Sequence, residues 1–166
     1  PQDFSRPAFI DNHDMNRFLF TAGGDINRLK MALTLLYALP GQPLVYFGTE
    51  CAFSQPRSIH DPKAIGFDEA RLPMNWGEVK AHADLADLLR QLSTLRQRCP
   101  QMSTAEWKNL LVDDQSNLAL WQIYLPEQNF YLAINRAGVE QALPLSLQLN
   151  RDAIQLIDCL HVAKLP

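Results

Sequence analysis

The chain has 166 residues, room for one domain or two small ones, and its 47% hydrophobic and 20% charged content is that of an ordinary globular protein. A formal net charge of −3 offers no basic stripe to nucleic acid and no cationic face to a membrane surface. No apolar run approaches the ~18 residues of a membrane span. Cys51, Cys99 and Cys159 are odd in number and too widely spaced for a disulfide framework or a zinc pair, so they read as reduced thiols of a cytoplasmic protein.

The opening Pro1-Gln2-Asp3-Phe4 shows no leader pattern and no initiator Met, so a fragment or a processed or trimmed form is expected. Residues 7–11 read as a short buried strand, with Pro7 tolerable only at its first position. After Ile10 the apolar residues give way abruptly to Asp11-Asn12-His13-Asp14. A buried strand looks like this where it ends in a loop that carries chemistry, as at the mouth of a parallel α/β barrel. Asp25, after Gly23-Gly24, is placed as the N-cap of a helix over 26–39. Leu29, Met31, Ala32, Leu33, Leu35, Leu36 and Leu39 make that helix apolar on most faces, which demands cover on more than one side. Pro40-Gly41 ends it. The apolar run 44–47 then reads as a parallel strand buried on both faces, completing a strand–helix–strand unit.

Residues 51–77 lack a clean period and are rich in Pro, Arg, Asp and aromatics, a loop long enough to expect function of it. The clearest helix covers 80–98, where Leu85, Leu88, Leu89, Leu92 and Leu95 form one stripe. Acidic residues near its start and Arg90, Arg96 and Arg98 towards its end suit the helix dipole. The pattern changes after Pro100. Runs 118–125, 130–135, 143–150 and 154–160 read as short strands punctuated by turn residues, which predicts an antiparallel sheet or sandwich. The expected division is residues 1–100, α/β, and residues 101–166, all-β.

Three segments carry a family resemblance. Phe9-Ile10-Asp11-Asn12-His13-Asp14 resembles the F-x-D-N-H-D segment of the α-amylase family of glycoside hydrolases. Gly41-Gln42-Pro43-Leu44-Val45-Tyr46-Phe47-Gly48-Thr49-Glu50 is similar to that family's next strand, G-x-P-x-x-Y-x-G-x-E. Arg71-Leu72-Pro73-Met74-Asn75-Trp76 resembles the R-x-P-M-x-W stretch of its neopullulanase, cyclomaltodextrinase and maltogenic-amylase members. The resemblance implies the last two strand–helix units of a (β/α)₈ barrel followed by a C-terminal antiparallel β-sandwich. A complete barrel takes ~250 residues, so the chain cannot hold one as well.

The resemblance also implies a retaining enzyme acting on α-1,4 bonds of α-glucan oligosaccharides, with α-1,6 bonds left open; no cofactor and no metal ligand are expected on this chain. Retaining glycosidases need a nucleophile and an acid/base carboxyl ~5–5.5 Å apart. Asp14 matches neither, but a third family carboxylate that supports the oxocarbenium-like transition state; negative charge beside developing positive charge is favourable. His13 matches a histidine that hydrogen-bonds a sugar hydroxyl. No match for the nucleophile segment is present, and Gly77-Glu78 is discounted as the acid because it opens a helix. Asn12 is a candidate sugar contact or a support beside Asp11. Arg17 either reaches sugar or pairs with a carboxylate, and Trp76 either stacks on a sugar or packs under its loop.

The bland alternatives are a loop whose Asp caps a helix, a non-catalytic β-sandwich module, and an inactive partner subunit. Two barrel strands without neighbours would leave open edges. Association with the rest of a barrel, or self-association into a homo-oligomer, is therefore expected.

Overall fold

In a computed structural model, the structure describes residues 6–77 and 79–142. It contains β1 (Pro7–Ala8), α1 (Phe18–Thr21), α2 (Ile26–Ala38), β2 (Gln42–Pro43), α3 (Ala83–Arg98), β3 (Glu106–Asp113), β4 (Leu118–Tyr124) and β5 (Asn129–Asn135). The expected strands at 143–150 and 154–160, and Glu78, Cys159 and His161, lie outside the described residues.

β1 and β2 pair in parallel, Pro7 opposite Gln42 and Ala8 opposite Pro43. The strand–helix–strand unit is therefore present, but both strands are shorter than the sequence suggests. Pro7 and Pro43 have no N–H to give a ladder. The pairing is carried by the N–H of Gln42 on Arg6 O (3.4 Å) and of Leu44 on Ala8 O (2.8 Å). The run 44–47 is not a strand buried on both faces: Leu44 is 51% and Phe47 41% exposed. Beyond Leu44 the backbone has no third strand to bond, among the described residues.

α2 begins as expected, with the Asp25 carboxylate accepting the N–H groups of Asn27 (2.9 Å) and Arg28 (3.2 Å). Its apolar girth is covered on two sides. Leu29, Leu33 and Leu36 pack with Leu85, Leu88, Leu89 and Leu92 of α3, and with Ala8, Ile10 and Val45 of the strand unit. Leu35 and Ala38 instead meet Ile123, Leu132, Trp107 and Trp121 of the β-sheet. One helix thus joins the α/β part to the β part. Ser93 Oγ donates to Tyr37 Oη (3.3 Å) between α2 and α3. Arg96 of α3 donates to Leu39 O and Gly41 O, holding the α2–β2 link. α3 starts later than expected, because residues 79–82 form a tight 3₁₀ turn first.

Gly41 sits at φ +92°, and a Cβ there would lie 2.1 Å from Arg6 O. Only glycine lets the chain turn that close to β1.

β3, β4 and β5 form one antiparallel sheet in that order. β4 and β5 fall within a residue of where the strand-length runs and turn residues placed them. β3 was not legible: a register break between Asn109 and Leu111 spoils the two-residue period, and Trp-Lys-Asn interrupts the apolar positions. Among the described residues the β part is a single three-stranded sheet, and the expected sandwich is not seen in them.

Candidate active site

The loop after β1 turns on three side chains. Asp11 is 2% exposed; its Oδ2 accepts the N–H of Phe18 (3.0 Å) and its Oδ1 the hydroxyl of Thr49 (3.0 Å). It closes the start of α1 and ties the loop to the turn after β2, a structural role. Asn12 Oδ1 accepts the N–H of Asp14 (2.8 Å), so its amide oxygen is turned onto the loop and shapes it. Asn16 Oδ1 accepts both Gln55 Nε2 (2.7 Å) and the N–H of Ile59 (2.9 Å), fastening the long loop to the short one.

This scaffold brings His13 and Asp14 to the surface together. His13 Nε2 stands 3.2 Å from Asp14 Oδ2, with both side chains more than half exposed. The other carboxylate oxygen, Oδ1, accepts from Arg71 Nη2 (3.0 Å), and Arg71 Nε donates to His13 O (3.0 Å). Asp14 thus accepts a charge-assisted hydrogen bond on Oδ1 while the His13 ring stands near Oδ2, and the guanidinium bond favours one orientation of the carboxylate. Arg71 is the residue that the sequence reading missed as a site member. Its signal was present in the 71–76 motif, but the motif said nothing of Asp14, 57 positions away.

Arg17 corrects an expectation. It is fully buried, at 0% exposure, and reaches neither solvent nor a carboxylate hydrogen bond. Its guanidinium lies over the rings of Tyr46 (4.1 Å), Phe47 (4.7 Å) and Phe53 (5.1 Å). Nε donates to Ala70 O (2.9 Å) and Nη1 to Phe47 O (2.7 Å), while Nη2 has no hydrogen-bond partner. Burial pulls its pKa down, and the charges of Asp11, Tyr46 and Glu50 oppose that. A cation so placed is kept by rings and carbonyls, so Arg17 is a packing centre rather than a sugar contact.

Trp76 is 76% exposed and does not pack under its loop. No hydrogen bond, ion pair or ring contact recorded among the described residues joins it to Asp14. Among those residues no group of three or more His, Cys, Asp or Glu is arranged to hold a metal ion. No helix there is long and apolar enough to cross a membrane.

The model of the α-amylase catalytic domain matches residues 1–124, three quarters of the chain, and takes in the strand-end loop, its Arg71 partner and the first two strands of the β-sheet. The chain belongs to the α-amylase family. Alpha-amylase 2 of Dictyoglomus thermophilum is 29% identical over 143 residues, which cover 86% of this chain and 25% of that one. Neopullulanase 2 of Thermoactinomyces vulgaris is 26% identical over 138 residues, covering 83% and 22%. Among solved structures, an Anoxybacillus α-amylase superposes with a TM-score of 0.63 at 30% identity, over 78% of this chain and 26% of that one. The chain thus spans about a quarter of the length of the α-amylase family relatives it matches.

Proposed function

We propose that this chain is the C-terminal part of a retaining α-glucan hydrolase, and that it supplies Asp14 as the carboxylate supporting the transition state. The observation that carries this reading is the position of Asp14. It lies exposed just beyond a parallel strand, with His13 and Arg71 on its two oxygens, in a chain of the α-amylase family. Charge placed and oriented before the reaction stabilises an oxocarbenium-like transition state without reorganisation. His13 is the sugar-hydroxyl donor beside it, and Asn12 shapes the loop. Trp76 is a free aromatic face for a glucose ring. The substrate class is maltooligosaccharides and related α-glucans, in keeping with the names of the relatives. Residues 1–100 are read as the last two strand–helix units of the barrel and residues 101–166 as the sandwich domain. Cys51 and Cys99 are both free thiols, which suits a reducing, cytoplasmic setting.

The nucleophile and the general acid are not assigned to this chain. The division is tested by reducing-sugar release from maltooligosaccharides and pullulan by the chain and by its Asp14→Asn variant. No turnover from either is expected, whereas turnover abolished by the substitution would mean that the chain holds a full carboxylate set and overturn the reading. The non-catalytic reading, a module that binds without contributing to chemistry, predicts saccharide affinity that is indifferent to Asp14→Asn.

A further inference from the structure

We propose that Arg71 is the positioning residue for Asp14, setting the direction in which its carboxylate meets a saccharide; this rests on the function proposed above. The Asp14 loop by itself does little to fix that side chain. The contact with His13 joins adjacent, exposed residues, and such pairs hold geometry weakly. Arg71 acts differently. Its fork spans the His13–Asp14 peptide, Nε on His13 O and Nη2 on Asp14 Oδ1, both at 3.0 Å. Two parallel donors on a rigid plane fix direction as well as distance, and a lysine ammonium cannot reproduce that.

Arg71 is itself held in place. Its guanidinium lies 5.7 Å from the centre of the Phe67 ring, and Nη1 stands 3.5 Å from Asp68 Oδ1. The preceding carbonyl, Ala70 O, accepts from the buried Arg17 Nε at 2.9 Å, and Ala70 is fully buried. The backbone under Arg71 is therefore anchored in the packed interior while its side chain reaches the surface. Orientation of Asp14 passes from the core through Arg17, Ala70 and Arg71.

A double-mutant cycle in saccharide affinity tests this on the full chain, with maltoheptaose titrated calorimetrically into wild type, Asp14→Asn, Arg71→Met, Arg71→Lys and the Asp14→Asn/Arg71→Met pair. Losing a charge-assisted hydrogen bond to Asp14 should weaken binding about tenfold in Arg71→Met. Arg71→Lys should be nearly as weak, and the double variant no weaker than Asp14→Asn. The urea midpoint of Arg71→Met should stay at the wild-type value, because the lost contacts are exposed. Losses that add in the double variant would mean that Arg71 touches sugar directly, and would overturn the inference. So would unchanged affinity in Arg71→Met, or a fallen urea midpoint. If Asp14→Asn weakens binding and Arg71→Met does not, the inference falls alone; if binding is indifferent to Asp14→Asn, the proposed role of Asp14 falls with it.

Discussion

Lys30 Nζ stands 2.6 Å from Asp84 Oδ2, joining α2 to the first turn of α3. Lys30 is nearly buried while Asp84 is mostly exposed, so the ammonium is presented to the carboxylate from within the helix–helix interface. The hydrogen bond from Lys30 is the main reason why the Asp84 carboxyl titrates below its ordinary value of 3.8.

That depression has a direction in pH. The folded chain holds the Asp84 proton less tightly than the unfolded chain, so the contribution to stability is complete above the ordinary value and disappears as pH falls through the lower, folded one. Urea midpoints measured from about pH 5 to about pH 3 should fall more steeply for wild type than for Lys30→Met. Parallel slopes would mean that the contact carries no pH dependence. Asp84 is exposed enough for solvent to screen the pair, so the difference should be small.

Arg17 should be costly to replace. Arg17→Met keeps bulk among Tyr46, Phe47 and Phe53 but leaves Ala70 O and Phe47 O without donors. Buried acceptors that lose a charged donor cost about 2–4 kcal/mol. The expected result is a lowered urea midpoint with a steady slope. An unchanged midpoint would show that water satisfies those carbonyls.

Two glycines should behave differently. Gly41→Ala sets a methyl group against Arg6 O, which belongs to the backbone beside β1 and cannot swing away. A loss of about 2 kcal/mol or more is expected. Gly23, at φ +71° with nothing near its missing Cβ, meets only the left-handed penalty, about 1 kcal/mol. Thermal unfolding of both alanine variants checks the ranking; equal losses would mean that the crowding at Gly41 is relieved elsewhere.

Exposed apolar side chains gather about the two-stranded sheet: Phe9 (48%), Leu44 (51%) and Phe47 (41%). Sheet edges and apolar surface together promote association. Light scattering of the chain should give a mass above the monomer, and Leu44→Lys should lower it. A monodisperse wild-type monomer would rule this out.

Local chemistry was legible in the sequence wherever a contact spans a few residues. The Asp25 carboxylate reaches N–H groups two and three positions on, and the Asn12 amide reaches Asp14, so the start of α2 and the shape of the loop are written in adjacent letters. The leucine stripe of α3 records which face is buried, the turn residues around β4 and β5 mark where those strands end, and the quoted motifs placed the chain in its family. Strand length was less legible, because pairing depends on a partner: prolines at Pro7 and Pro43 stop a ladder that the apolar run at 44–47 seemed to extend. β3 escaped for a similar reason, since its bulge is defined only against β4.

The working geometry belonged to the tertiary structure alone. Arg17 has the letters of a surface residue beside His13 and Asp14, yet Ala70, Phe47 and three rings from distant segments close over it. Arg71 has the letters of a motif, yet its partner is Asp14. A long side chain can bury its charge or present it to solvent, and the segments that converge around it decide which. Those segments are 29 to 57 residues away along the chain, and only folding brings them together.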